Sequence, residues 1–208
     1  MKQVIQPKML YFGTPVVLIS TLNEDGTPNV APMSSAWWLG MSCMLGLSRR
    51  SKTAENLERD RHCVLNLPSA AMVDAVDRLA LTTGRDPVPE YKARMGYRFE
   101  PLKFEAAGLT PEPADLVGAP RIAECPIQLE ARIECIHAIG EPERNLAAFE
   151  ASILRVHLDE SLLMAGTPNY IDSERWRPLI MSLCEFFSLG GKLQPSRLAE
   201  AWGPAKAS

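Results

Sequence analysis

The chain of 208 residues has only three histidines, His62, His137 and His157, widely separated along it. A zinc site draws on His and Cys at short, defined spacings, so no metal site is expected. The five cysteines, Cys43, Cys63, Cys125, Cys135 and Cys184, are odd in number, and no pair has C-x-x-C spacing. Four of the five have apolar neighbours, as in "HCVLNL" and "SCMLGL". They read as buried free thiols in a reducing compartment. The net charge of −3 leaves no strongly basic face, which argues against a nucleic-acid partner. The longest apolar stretch, "AWWLGMSCMLGL" (36–47), is broken by Gly40, Ser42 and Gly46 and is too short to span a bilayer. The opening "MKQVIQPKMLYFG" has no apolar core of signal-peptide length. These absences predict a cytoplasmic protein with no membrane partner. No Walker loop, catalytic triad or carboxylate pair is recognisable.

What is present suits one domain over residues 1–208. Apolar residues make up 46% of the chain, enough for a core without disulfides. "TPVVLISTL" (14–22) reads as a buried strand. "NEDG" (23–26) is a hairpin turn, because Gly26 supplies a positive φ at no steric cost. "TPNVAPMSSAWWLG" (27–40) returns as a strand that Pro28 and Pro32 confine to an edge or break in mid-course. "SCMLGLS" (42–48) is a third strand. "SKTAENLERD" (51–60) is a helix with Ser51 as N-cap, and "HCVLNLP" (62–68) a further strand. The apolar spacing of "AAMVDAVDRLALTTG" predicts a helix over 70–84, closed by Gly84.

Proline and glycine recur from 85 to 120, which reads as a long excursion with one short helix at 90–96. Residues 124–140 alternate, with Ile127, Leu129, Ala131, Ile133 and Cys135 inward, as in a half-exposed antiparallel strand. Another strand is expected over 149–164. A short helix and a last apolar segment are expected over 172–191, then a frayed tail from 200. The sum is mainly β: a β-barrel with α-helical insertions rather than a doubly wound sheet.

Two segments carry chemistry. In "RRSKTAENL" (49–57) a helix start, with its unpaired N–H groups and partial positive charge, is reinforced by Arg49, Lys52 and the hydroxyls of Ser51 and Thr53. A phosphate monoester suits it. The plain alternative is an ordinary capped helix with solvated cations. In "NVAPMSSAWWLG" (29–40) Pro32 interrupts the ladder, so Met33, Ser34, Ser35 and Ala36 can offer backbone N–H groups beside the flat apolar surface of Trp37 and Trp38. This suits the polar edge of a planar ring; the alternative is a strand burying a tryptophan. Together the segments imply a phosphorylated aromatic cofactor, and FMN fits.

"YFGTPVVLISTLNEDGTPNVAPMSSAWW", "LGLSRRSKTAENL" and "CVLNLPSA" resemble the flavin reductase-like proteins of the FMN-binding split-barrel fold. The resemblance is clearest over residues 10–70. It implies an antiparallel Greek-key split barrel, a homodimer and FMN near the subunit interface. It carries Ser34, Ser35, Ala36 and Trp37 to the ring and ribityl side, and Ser48, Arg49, Ser51, Lys52 and Thr53 to the phosphate side. Asn56 and Asn66 match family positions but read as structural. The activity implied is hydride transfer from NAD(P)H to FMN and onward to a second acceptor, with a small-molecule substrate and no side-chain acid or base required. A flavoprotein not reduced by NAD(P)H, and a non-enzymatic module for a phosphorylated ligand, remain as alternatives.

Overall fold

The computed structural model describes residues 1–203. In chain order its elements are β1 (Phe12–Pro15), β2 (Val17–Leu22), β3 (Pro28–Met33), β4 (Ala36–Leu39), β5 (Ser42–Ser48), α1 (Lys52–Asp60) and β6 (His62–Leu67). Then come α2 (Val73–Leu79), β7 (Thr82–Thr83), α3 (Glu90–Arg94), β8 (Arg98–Phe99), α4 (Lys103–Ala107), β9 (Pro111–Glu112) and β10 (Arg121–Ile122). The long strands β11 (Ile127–Ile139) and β12 (Leu146–Leu158) follow, then β13 (Leu179–Ser182), β14 (Glu185–Ser188) and α5 (Leu198–Trp202).

Seven strands form one sheet in the order β3-β2-β6-β11-β12-β5-β4. Every pairing in it is antiparallel. Its two edge strands, β3 and β4, are consecutive in the chain and joined only by Ser34 and Ser35. The sheet must therefore curl until its edges meet, which makes it a barrel with a seam at Ser34–Ser35. Both expectations for the proline-bearing strand hold: Pro28 and Pro32 lie in edge strand β3, and the strand breaks after Met33. The β2–β3 hairpin turns through Asn23–Thr27, with Gly26 at φ +82° and its N–H donating to the Asn23 carbonyl at 3.0 Å.

Strand β2 is buried on both faces. Val17 and Ile19 point into the barrel with Leu45, Leu57, Leu65 and Phe149. Leu18, joined by neighbouring Val16, points the other way, into a second core with Val76, Leu79, Phe104, Ile122 and Leu179. That core packs the excursion against the barrel's outside. Helix α1 starts where expected: Ser51 is extended (φ −81°, ψ 154°), and its hydroxyl accepts from the Ala54 N–H at 3.1 Å. Ala54 and Leu57 bury the helix against the barrel core.

Several expectations are corrected. The strand expected over 14–22 divides at Val16; β1 leaves the barrel to pair with β13 in a three-stranded sheet. The helix expected over 70–84 is a 3-10 turn (Ala70–Met72) followed by α2, and it ends at Leu79. Ala80 is extended, Leu81 takes a positive φ of 54°, and the Thr82 hydroxyl donates to the Leu79 carbonyl at 2.7 Å. Gly84 therefore closes nothing. The excursion holds the short helix α3 and a second one, α4, that the proline-rich text concealed. The strand expected over 149–164 begins at Leu146 and stops at Leu158. Over 172–191 no helix forms; β13 and β14 make a hairpin instead. Of the tail expected to fray, residues 204–208 lie outside the described residues, and Leu198–Trp202 is helical. All five cysteines are free, but only Cys43, Cys63 and Cys125 are buried; Cys135 and Cys184 are exposed.

The half-exposed reading of 124–140 fails for the front of β11, where Gln128 and Glu130 are buried. Glu130 is fully enclosed because it ties the excursion down. Its oxygens accept from the N–H groups of Asp115 (2.9 Å) and Leu116 (2.6 Å) and meet His157 Nε2 at 2.6 Å. Burial pulls its pKa up, but the hydrogen bonds from Asp115, His157 and Leu116 outweigh that and hold it below the ordinary 4.5. Glu130→Ala, which removes the acceptor of two backbone N–H groups and leaves a buried gap, is expected to destabilise the fold by about 3 kcal/mol in urea denaturation.

Candidate functional site

A cavity of about 710 Å³ opens between the barrel seam, the start of α1 and the inner side of the excursion. Its barrel wall is the seam. Neither Ser34 nor Ser35 belongs to a strand, and the Ser35 hydroxyl is hydrogen-bonded to the Tyr11 hydroxyl at 2.7 Å. The Ser35 carbonyl accepts from the Gly46 N–H at 2.7 Å. A Cβ on Gly46 would stand 3.0 Å from Ser35 Cβ, so glycine is what allows β5 to approach the seam this closely.

Seven of the residues singled out from sequence line this one cavity: Met33, Ser34 and Ser35 on the seam, and Ser48, Ser51, Lys52 and Thr53 around the helix start. The two segments that suggested a ring and a phosphate thus share one cleft. Ala36, Trp37 and Arg49 lie outside its lining. Ala36 is in the barrel core. Trp37 is exposed, opposite Met44 on the outer face of the sheet. Arg49 turns away to pair with Glu58 at 2.8 Å.

The helix start is largely occupied by its own structural bonds. The Ser51 hydroxyl oxygen caps the helix, and Thr53 Oγ1 accepts from the side-chain amide of Asn29 at 3.3 Å. Lys52 Nζ pairs with Glu55 at 2.7 Å, and Arg85 holds the other oxygen of Glu55 at 2.8 Å. Asn56 and Asn66 are bound within the protein. Asn56 donates to Thr21 Oγ1 and Asn23 Oδ1, each at 3.0 Å. Asn66 donates to Ser20 Oγ at 2.7 Å and accepts from the Ile122 N–H at 2.9 Å.

The uncompensated charge comes from the opposite wall, which sequence reasoning missed. Lys92 and Lys103, both in the excursion, line the cavity. Lys103 is 4% exposed and makes no ion pair among the described residues. Burial, and then the nearby Lys92, push its pKa down to about 8. Lys92 is likewise lowered, by burial and then by Arg85; its Nζ lies 3.5 Å from Thr83 Oγ1 and 5.1 Å from the centre of the Tyr97 ring. The buried hydroxyl of Tyr91, also in the lining, has no hydrogen-bond partner among the described residues. Two sheltered cations and an orphaned hydroxyl facing a cavity describe a receptor for an anionic guest. Nothing in "EYKARMGY" or "PLKFE" marked these lysines, because their burial depends on how the excursion folds back.

The flavin reductase like domain family matches residues 9–174. The chain belongs to this family. It is therefore a member of a class of flavin-binding oxidoreductases. It is 41% identical to the uncharacterized protein YdfE of Bacillus subtilis over 186 residues, covering 89% of this chain and 88% of that protein. Its fold matches flavoredoxin of Desulfovibrio vulgaris with a TM-score of 0.77 at 24% identity, covering 96% of this chain and all (100%) of that one. It matches nitrilotriacetate monooxygenase component B from Bacillus cereus with a TM-score of 0.74 at 18% identity, covering 94% and 99%. The barrel is thus the flavin reductase-like split barrel. Among the described residues no helix is long and apolar enough to cross a membrane.

The depressed Lys103 gives this family member a measurable pH signature. Unfolded, the side chain has its ordinary pKa of 10.5; folded without a ligand, it has about 8. Between those values the unfolded chain binds a proton that the folded chain does not, so stability rises with pH. The gap of about 2.5 is worth roughly 3 kcal/mol. Comparing wild type with Lys103→Met by chemical denaturation at pH 7.5 and pH 10.5 should show this rise in the wild type and its absence in the variant.

Proposed function

We propose that the chain is an FMN-dependent oxidoreductase that takes hydride from NAD(P)H and passes electrons to a second small-molecule acceptor, as a cytoplasmic homodimer. The carrying observation is the single cavity that joins the seam, the start of α1 and the unpaired lysines. FMN would supply the redox chemistry at this site; the protein supplies binding, orientation and electrostatics.

The first turn of α1 offers the phosphate its unpaired N–H groups, and Ser48 adds a hydroxyl nearby. Lys92 and Lys103 supply the counter-charge that Lys52 and Arg49, already held by Glu55 and Glu58, do not. The orphaned Tyr91 hydroxyl gains a partner. On the other side, the amides of Met33, Ser34 and Ser35 would hold the polar edge of the ring. Donors held there favour negative charge on that ring without reorganising. Apolar Val16, Ile19, Leu79 and Met181 complete the lining and exclude water. No acid or base side chain is assigned a catalytic role. The likeness of fold to a flavoredoxin and to a monooxygenase component supports an oxidoreductase that hands electrons onward. The five free cysteines support a reducing compartment. The homodimer is supported by the β4–β5 hairpin, which exposes Trp37, Leu39 and Met41 by 57%, 75% and 59%.

The decisive measurement is an absorption spectrum of the purified protein supplemented with FMN, repeated anaerobically after NADH or NADPH. Bound flavin that bleaches with either nucleotide is expected; flavin that binds and bleaches with neither removes the nicotinamide step. Lys92→Met and Lys103→Met should each weaken FMN binding by about 1–3 kcal/mol in a fluorescence titration. Lys52→Ala should cost less, because Glu55 already holds its ammonium. Sedimentation should give twice the 23.0 kDa mass of one chain.

A further inference from the structure

Away from the cavity, the outer face of the β11–β12 pair gathers a thiol, an imidazole and a carboxylate. Simple alternation from Ile127 places Cys135 in the core beside Ile133. A bulge between Ile133 and Cys135 reverses this: Ile133 lies opposite Ala151, and Cys135 opposite Glu150. Ile133 is buried, Cys135 is exposed, and Ile136 takes the inward position against the barrel core. His137, two residues beyond Cys135, shares its outward face, and His137 Nε2 stands 2.9 Å from a Glu150 oxygen. One donor atom from each of the three side chains lies within 4.8 Å of the others. Bulges re-aim side chains, and here the effect is to complete a set of three ligands.

We propose that Cys135, His137 and Glu150 form a binding site for a divalent transition-metal ion of the zinc type, with water completing its coordination. The ligand set is the mixed sulfur, nitrogen and oxygen kind that zinc accepts, and three protein ligands plus an open position make a four-coordinate shell. Side-chain rotation of about 1 Å brings the donors to metal distance. The main chain need not move, since all three residues stand on a paired ladder. Thiolate and carboxylate together neutralise the ion. Arg132, the cation on the same strand, is already held by Glu134 at 2.8 Å and does not oppose it. The other such cluster among the described residues, Asp115, Glu130 and His157, is different in kind. Glu130 is engaged by two backbone N–H groups and His157, so three hydrogen bonds already hold it. Asp115 is bridged to Arg155, whose guanidinium stands beside it. The sequence reading that placed Cys135 inward hid the Cys-x-His pair.

The site is tested on the full chain, freed of metal by chelation and titrated with Co2+, whose thiolate charge-transfer band reports on a zinc-type site. Wild type and Cys184→Ser, which removes the other exposed thiol, are expected to develop the near-ultraviolet band and saturate at one ion per chain. Zn2+ should displace the cobalt. Cys135→Ser should abolish the band, and His137→Ala and Glu150→Gln should each weaken binding at least tenfold. All positions are solvent-facing, and circular dichroism confirms that the variants are folded. No band in wild type overturns the proposal. So does a band that survives Cys135→Ser, or binding left unchanged by both His137→Ala and Glu150→Gln, which would mean a thiol binding metal alone. None of these readouts depends on flavin.

Discussion

The two-residue link between β3 and β4 closes the barrel, and the rest of the molecule is arranged around that closure. Seven strands laid flat would separate β3 from β4 by about 29 Å. The two-residue link between them reaches about 10 Å. The sheet cannot stay open, so it rolls until its two edges stand together at the link; the Gly46–Ser35 hydrogen bond carries the β4–β5 ladder one residue further, up to the link itself. The same link is a wall of the cavity. Chain closure and cavity wall are thus one piece of backbone, the stretch that Pro32 precedes.

Electrostatics divides the cavity between two segments distant in sequence. The start of α1 offers oriented N–H groups, while its own cations are neutralised by Glu55 and Glu58. The excursion contributes Lys92 and Lys103, neither of which is in an ion pair among the described residues; Glu100 acts on Lys103 only weakly, after burial and Lys92. A sheltered cation without a partner weakens the ligand-free fold, and such local conflicts gather at sites of function. Glu130 and Asn66 offset this by fastening the excursion to the barrel through its backbone: Asn66 takes the Ile122 N–H, and Glu130 those of Asp115 and Leu116.

Features governed by local chemistry were legible in the sequence. Asp25-Gly26 announced the hairpin, Ser51 the start of α1, and Pro28 with Pro32 an edge strand that breaks. That the stretch around Ser34–Ser35 and the start of α1 would share one cleft was legible too, because strand 42–48 runs between them. What was lost depended on register or on distant contacts. Alternation could not show the bulge that turns Cys135 outward, nor the enclosure of Glu130 by the excursion. The apolar spacing of 70–84 continued past Leu79, but the Thr82 hydroxyl, bonded back to the Leu79 carbonyl, ends the helix there. Lys103 looked like any surface lysine until α4 packed against α2 and β3.

Strand β2 separates the barrel interior from the core beneath the excursion, and adjacent side chains answer to different neighbours. Val17 and Ile19 are constrained by one set of partners, Val16 and Leu18 by another. Substitutions can thus accumulate on either side of this partition while its hydrogen-bond ladder stays intact. Descendants of such a protein are free to reshape what the pocket admits without rebuilding the barrel that carries it.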